Sequence, residues 1–264
     1  MKENMGLRVF LLFASGCTLS YALRTVNAVI APDLTAEFGL SNAALGALSS
    51  AYFFSFIFMQ LPLGVWLDRY GSRNTDAVLL SIAAVGCFMF ALASQAWMLG
   101  VARVVIGIGV SGALMSGLRA FRFAFAPERQ QRLAAWILTA GTLGALISTV
   151  PAQWALPLIG WRGLFVLCGV LLASAAVLLR TLLPAEPVQP PAPLAKQWAG
   201  YAEVFREPYF WRFVLAAITL QANFIAMQSL WAGPWFSRVL GMSAADRKST
   251  RLNSSHVSES RMPS

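Results

Sequence analysis

The chain has 264 residues, of which 58% are hydrophobic and 12% charged, with mean hydropathy +0.63 and a formal net charge of +9. Soluble domains run near about 45–50% apolar and about 25% charged, so these residues cannot cover a water-facing globule. A soluble enzyme and an ordinary nucleic-acid-binding domain are excluded, and in so apolar a chain the basic excess marks loops beside a membrane.

Hydropathy divides the chain into seven apolar stretches, at about 8–30, 43–66, 75–95, 97–118, 133–155, 163–183 and 209–232. Each is near the ~20 residues that cross a bilayer core. All are predicted to be helical, because irregular backbone facing lipid leaves its polar groups unsatisfied. The first is too long, and too polar toward its end, for a cleaved signal peptide. It carries Tyr21, Arg24 and Asn27 at i, i+3 and i+6, three polar groups along one side of a helix.

Between the second and third stretches lies Gly64-Val-Trp-Leu-Asp68-Arg69-Tyr70-Gly71-Ser72-Arg73, where Gly71 is expected to permit a fast chain reversal. The fourth stretch holds Arg103 with Gly107, Gly109 and Gly112, and the fifth holds Gly141 and Gly144. Small residues at such spacing mark helix faces that approach closely. Arg24 and Arg103 are charges expected inside the membrane, a costly placement that usually serves function. At 1.5 Å per residue both fall roughly 10 Å inside the outer boundary, in one layer. A guanidinium fork fits a carboxylate in bidentate fashion, so this pair points to a small anion, an organic carboxylate. Against that stands a structural reading, in which Arg103 bonds backbone carbonyls and Arg24 pairs with an acid elsewhere. The seventh stretch adds Gln221, Asn223 and Gln228, which suit either a substrate or interhelical hydrogen bonds.

Cys17, Cys87 and Cys168 fall in apolar runs with no paired spacing, which suggests neither a disulfide framework nor a zinc site, and no cofactor is expected. Orientation follows from the loops. Lys2, Arg8, Arg69, Arg73, Arg119, Arg122, Arg129, Arg132, Arg180, Lys196, Arg206 and Arg212 share one side, and Arg162 and Arg238 the other. The positive-inside rule then puts the N-terminus in the cytoplasm, with the protein multi-pass in the inner membrane. Pro184, Pro187, Pro190, Pro191 and Pro193 suit an extended cytoplasmic linker over 184–208. Residues 246–264 are polar and Ser-rich, hold the only histidine (His256), and back-translate to a sequence resembling a sequencing-library adapter. That segment is treated as a non-native tail outside the fold.

The Gly64–Arg73 segment resembles the signature loop of the major facilitator superfamily: a glycine, Asp-Arg four residues on, then Gly and a further basic residue. Leu67 stands where a small residue is usual, and Ser72 where a basic one is. Arg103-Val-Val-Ile-Gly107-Ile-Gly109 is similar to the family's Arg-x-x-Gln-Gly-x-Gly pattern, with Ile106 in place of glutamine, and Gly160-Trp161-Arg162 is also common there. The resemblance covers about residues 5–245. It implies an all-α polytopic membrane protein, with a six-helix N-terminal bundle over 1–183, the linker over 184–208 and the start of a C-terminal bundle over 209–245.

It further implies a secondary transporter, not an enzyme, in which two bundles rock about a site near the bilayer midplane. The expected partners are a small, anionic solute, a coupling ion (proton or sodium) and the lipid bilayer, with no nucleic acid and a monomeric full-length state. A fragment ending near Ala245 is expected to be inactive. Gly64, Asp68, Arg69, Gly71 and Arg73 would form the latch that holds the cytoplasmic side, the alternative being solvated loop charges. Tyr21 to Asn27 resembles the first helix of the anion–cation symporter branch, where an arginine engages the substrate's anionic group. An aspartate commonly precedes that arginine, and here the residue is Leu23. Antiporters of the family carry a Gly-Pro motif in the fifth helix; this chain has Gly141 and Gly144, with proline displaced to Pro151. Efflux of hydrophobic or cationic compounds stays open as an alternative. So do a membrane-embedded enzyme and a non-transporting receptor.

Overall fold

The computed structural model describes residues 2–184 and 194–226. The chain divides into two compact units, residues 1–191 and 192–264. The first contains α1 (Lys2–Phe38), α2 (Asn42–Ala91), α3 (Ala96–Val110), α4 (Ala113–Ala124), α5 (Pro127–Ile147) and α6 (Val150–Leu182). The second contains α7 (Leu194–Arg206) and α8 (Pro208–Ala226). No strand occurs among the described residues. Met5–Phe38, Asn42–Ala91, Ala96–Ala124 and Pro151–Leu182 are each long and apolar enough to cross a membrane. The all-α polytopic fold expected from hydropathy is therefore the fold observed.

A straight α2 of 50 residues would be ~75 Å long, more than twice the thickness of a bilayer core. Gly71 breaks it, with φ 75 and ψ 168, a conformation that a side chain resists. The chain reverses there, because both halves of α2 meet the same short run of α3. A side chain at Gly107 would meet Ser55 and the Tyr52 carbonyl, and one at Gly109 the backbone of Ala83. Just beyond, Gly112 faces both Leu63 and Leu79. Thus α2 is a hairpin made of the predicted second and third stretches. Gly160, with φ 67 and ψ 172, interrupts α6 in the same way, between the end of the fifth stretch and the sixth.

Two predicted helices are bent where hydropathy reads them as continuous. The fourth breaks between α3 and α4 at Ser111–Gly112, a Ser/Gly pair of the kind that kinks helices. The fifth breaks between α5 and α6 because Pro151 has no N–H to donate and its ring crowds the preceding turn. Bends free backbone carbonyls, and each one left unpaired in hydrocarbon costs several kcal/mol. Neighbouring helices fill them. Ser20 Oγ donates to the Val110 carbonyl (3.2 Å) and Gln60 Nε2 to that of Ser111 (3.1 Å). Thr25 of α1 shares a hydrogen bond with Ser148 at the second bend.

Helix α1 lies against α5 through glycines, Gly141 under the Tyr21 ring and Gly144 against the Thr18 backbone. At one end of the bundle Arg162 pairs with Glu37 (2.6 Å), which also accepts from Trp161 Nε1 (2.9 Å), while Arg162 Nη2 donates to the Ala93 carbonyl (3.1 Å). Helix α7 differs from the extended linker expected over 184–208. Leu194–Arg206 contains no proline and is rich in residues that favour helix, whereas residues 185–193 lie outside the described residues.

Gly144→Leu should lower stability by about 1–3 kcal/mol or more, because its neighbour is backbone and cannot yield. The thermal midpoint of the detergent-solubilised chain measures this. Gly46→Ala, which meets nothing within 4 Å, should leave the midpoint unchanged or slightly higher.

Candidate functional site

Residues three apart on an α-helix fall short of a full turn by about 60°, so the row Tyr21, Arg24, Asn27 drifts around α1. Its ends consequently face different neighbours. Tyr21 turns to Gly141 on α5. Asn27 is buried and turns to α2 and α3, its Nδ2 donating to Ser49 Oγ (2.9 Å) and its Oδ1 accepting from Arg103 Nη2 (2.5 Å). Arg24 lies between them, half-buried.

Arg103 is 1% exposed. Its Nη1 donates to the Leu23 carbonyl (3.2 Å), and its guanidinium lies over the rings of Phe90 (4.8 Å) and Phe165 (5.4 Å), which stack on each other. It grips the backbone of α1 at Leu23 and the side chain of Asn27, on either side of Arg24 in the chain. The two arginines therefore meet at one level of α1, yet only Arg24 keeps a partly open surface.

The Arg24 guanidinium is surrounded by the rings of Tyr21 (4.9 Å), Phe56 (5.2 Å) and Phe53 (5.7 Å). Each ring face attracts the cation and replaces part of the hydration it loses. Beside it is the buried Tyr52, whose hydroxyl has no hydrogen-bond partner among the described residues, as is also true of Arg24 Nε. Neither of the ion pairs among the described residues includes Arg24 or Arg103. A donor fork held between aromatic faces, without a carboxylate of its own, suits a planar anion.

A second cluster forms around the Gly71 turn. Asp68 pairs with Arg119 of α4. Arg73 Nη1 donates to the Leu183 carbonyl at the end of α6 (2.8 Å), and Thr75 Oγ1 spans the turn to the Trp66 carbonyl (3.1 Å). Arg69 is exposed, over the Tyr70 ring (5.6 Å), and Gly64 is half-buried in α2. The turn thus joins α2 to α4 and to the end of α6.

Gln221 and Asn223 are exposed on α8 in the second unit, where Asn223 Nδ2 donates to the Thr219 carbonyl (2.8 Å). Gln228 and residues 246–264 lie outside the described residues. Two acids outside the candidate site residues carry structure. Glu37 holds the Trp161–Arg162 corner, and Asp76, at the start of the third stretch, is wholly buried. A lone acid within an apolar run was the signal for Asp76. No group of three or more His, Cys, Asp or Glu residues able to hold a metal occurs among the described residues.

The family model described as Major Facilitator Superfamily matches residues 12–254, a stretch that runs past Ala245 into the Ser-rich tail. The hexuronate transporter of Escherichia coli (strain K12) is 29% identical over 174 residues, which cover 65% of this chain and 40% of that protein. The 4-hydroxybenzoate transporter of Pseudomonas aeruginosa is 34% identical over 161 residues, 59% of this chain and 35% of the relative. The chain thus spans well under half the length of these two relatives. Among solved structures, a bacterial homologue of the human lysosomal transporter Spinster, inward-facing and unoccupied, superposes with a TM-score of 0.65. It is 22% identical, and the match covers 93% of this chain and 57% of the other, a likeness of fold.

Arg103→Leu should cost about 1.5–3 kcal/mol, because the Leu23 carbonyl and Asn27 lose charged donors in a dry interior. Arg24→Gln should leave the thermal midpoint of the solubilised chain nearly unchanged. Equal losses in the two variants would contradict the division of roles drawn here.

Proposed function

The chain belongs to the Major Facilitator Superfamily, and on that premise we propose that it is the substrate-reading part of a secondary transporter for a small organic anion. The observation that carries this reading is Arg24, ringed by Tyr21, Phe53 and Phe56 and lacking an acid of its own among the described residues. Arg24 contacts the carboxylate and Tyr21 flanks its planar part. Arg103 and Asn27 act one step behind, fixing the turn of α1 that presents Arg24. Gln221 and Asn223 of α8 are further candidate substrate-binding amides. The hexuronate and 4-hydroxybenzoate carriers, both named for organic acids, support an anionic solute.

The basic loops support an inner-membrane location with the N-terminus in the cytoplasm. On that orientation the Gly71 turn is cytoplasmic. The solute crosses by alternating access, and the cluster of Asp68, Arg69, Gly71 and Arg73, with Arg119, latches the cytoplasmic side.

In the full-length protein, Arg24→Lys and Arg24→Gln should lower kcat/KM for a carboxylate substrate about 10–100-fold, since neither side chain reproduces the fork. Uptake measured across hexuronates, hydroxybenzoates and cationic solutes tests this. Wild-type rates in both variants, or a cationic substrate, would sink the reading.

Asp68→Asn should slow turnover while equilibrium affinity for the solute stays within about a few-fold, because an exposed turn at the bundle end does not touch substrate. A loss of affinity with normal exchange kinetics would place Asp68 in the binding site instead.

A further inference from the structure

Asp76 lies five residues beyond Gly71 in α2, roughly 7 Å along the helix from the turn, and is 0% exposed. Helix α1 covers it with Gly16 and Cys17. A Cβ built on Gly16 would lie 3.7 Å from Asp76 Oδ2, so α1 packs in van der Waals range of the carboxyl. From α4, the buried Ser116 hydroxyl lies close by. Neither carboxylate oxygen has a hydrogen-bond partner among the described residues, and neither has Ser116 Oγ in the geometry observed.

The charged and titratable groups on the surrounding helices do not neutralise it. Arg73, on its own helix, is committed to the Leu183 carbonyl, and Arg119 of α4 to Asp68. On α1 the neighbour is the Cys17 thiol, buried and within electrostatic range of both Asp76 and Arg24. Arg24 itself sits two turns further along α1 among its aromatic rings. An ionised carboxylate taken from water without a partner is strongly penalised, and binding one proton removes the charge. Ser116 can serve either state, because a hydroxyl donates to a carboxylate and accepts from a carboxylic acid.

We propose that Asp76 is a proton-binding site within the α1–α2–α4 packing, and that it couples solute movement to protons. The inference rests on the transporter reading above. A proton from water adds to a carboxylate oxygen to give the neutral acid; when water regains access, the O–H bond breaks and the proton returns to solvent. The direction of coupling follows from charge. An anion on Arg24 of α1 and an ionised Asp76 of α2 carry like charge within one bundle and repel, so solute and proton bind together, as a symporter requires.

Two measurements test this. Infrared difference spectra of the purified chain, between acidic and alkaline buffer, should contain a carboxylic-acid C=O band that Asp76→Asn removes. An unchanged spectrum in that variant overturns the proposal. If Asp76→Asn does not fold, Asp76→Glu should fold and shift the midpoint at which the band titrates, and an unshifted midpoint overturns the proposal equally. In proteoliposomes of the full-length transporter, with 4-hydroxybenzoate and glucuronate as probes, an acid-outside gradient should drive accumulation. Asp76→Asn should reduce this at least about tenfold while counterflow stays within about threefold of wild type. Retained gradient-driven accumulation in the variant defeats the coupling role. If the wild type carries neither probe by counterflow, the anion reading fails, and the infrared result still decides Asp76.

Discussion

Inside a bilayer no water is available to a backbone carbonyl, and the first unit is organised around that deficit. Its helices bend at Ser111–Gly112 and at Ser148–Thr149, and each bend exposes acceptors that regular α-helix would hide. Polar side chains from other helices answer them: Ser20 for Val110 and Gln60 for Ser111. The arginines do the same at longer range. Arg103 reaches Leu23, Arg73 reaches Leu183, and Arg162 reaches Ala93. A cationic donor makes a stronger bond than a neutral one, which suits it to sites without solvent. Three arginines of this bundle therefore close backbone. Arg24 instead keeps its guanidinium among aromatic rings, which makes it a candidate for substrate.

Close packing supplies the other half of the arrangement. Gly107 and Gly109 let both arms of α2 lie against α3, and Gly141 and Gly144 bring α5 onto α1. Tyr21 is set over Gly141 as a result, and its ring becomes one side of the enclosure around Arg24. The shape of the candidate site is thus decided by residues that have no side chain.

Much of the fold was legible before any coordinates. Runs of about twenty apolar residues have few alternatives to crossing a membrane as helix, and Gly71 marked its turn correctly. The bends were not legible, because hydropathy averages over a window and registers composition, not the direction of an axis. The division between Arg24 and Arg103 was legible only as one of two readings, for a different reason. Depth along a helix can be counted from its end, but which neighbour a side chain faces depends on rotations of about 100° per residue and on packing partners far away in sequence. Glu37 and Asp76 illustrate the same limit, since an acid looks alike in text whether it meets an arginine or a glycine.

The corner formed by Glu37, Trp161, Arg162 and Ala93 has a mechanical meaning. It fastens the last turn of α1 to the start of the long arm of α6 and to the connection between α2 and α3. The Gly71 turn fastens the opposite end, through Asp68 to α4 and through Arg73 to the end of α6. Rods pinned at both ends resist sliding past one another. A torque applied at one rim is delivered to the other with little lost to internal shear, so the bundle behaves as a lever and not as a sheaf of independent helices.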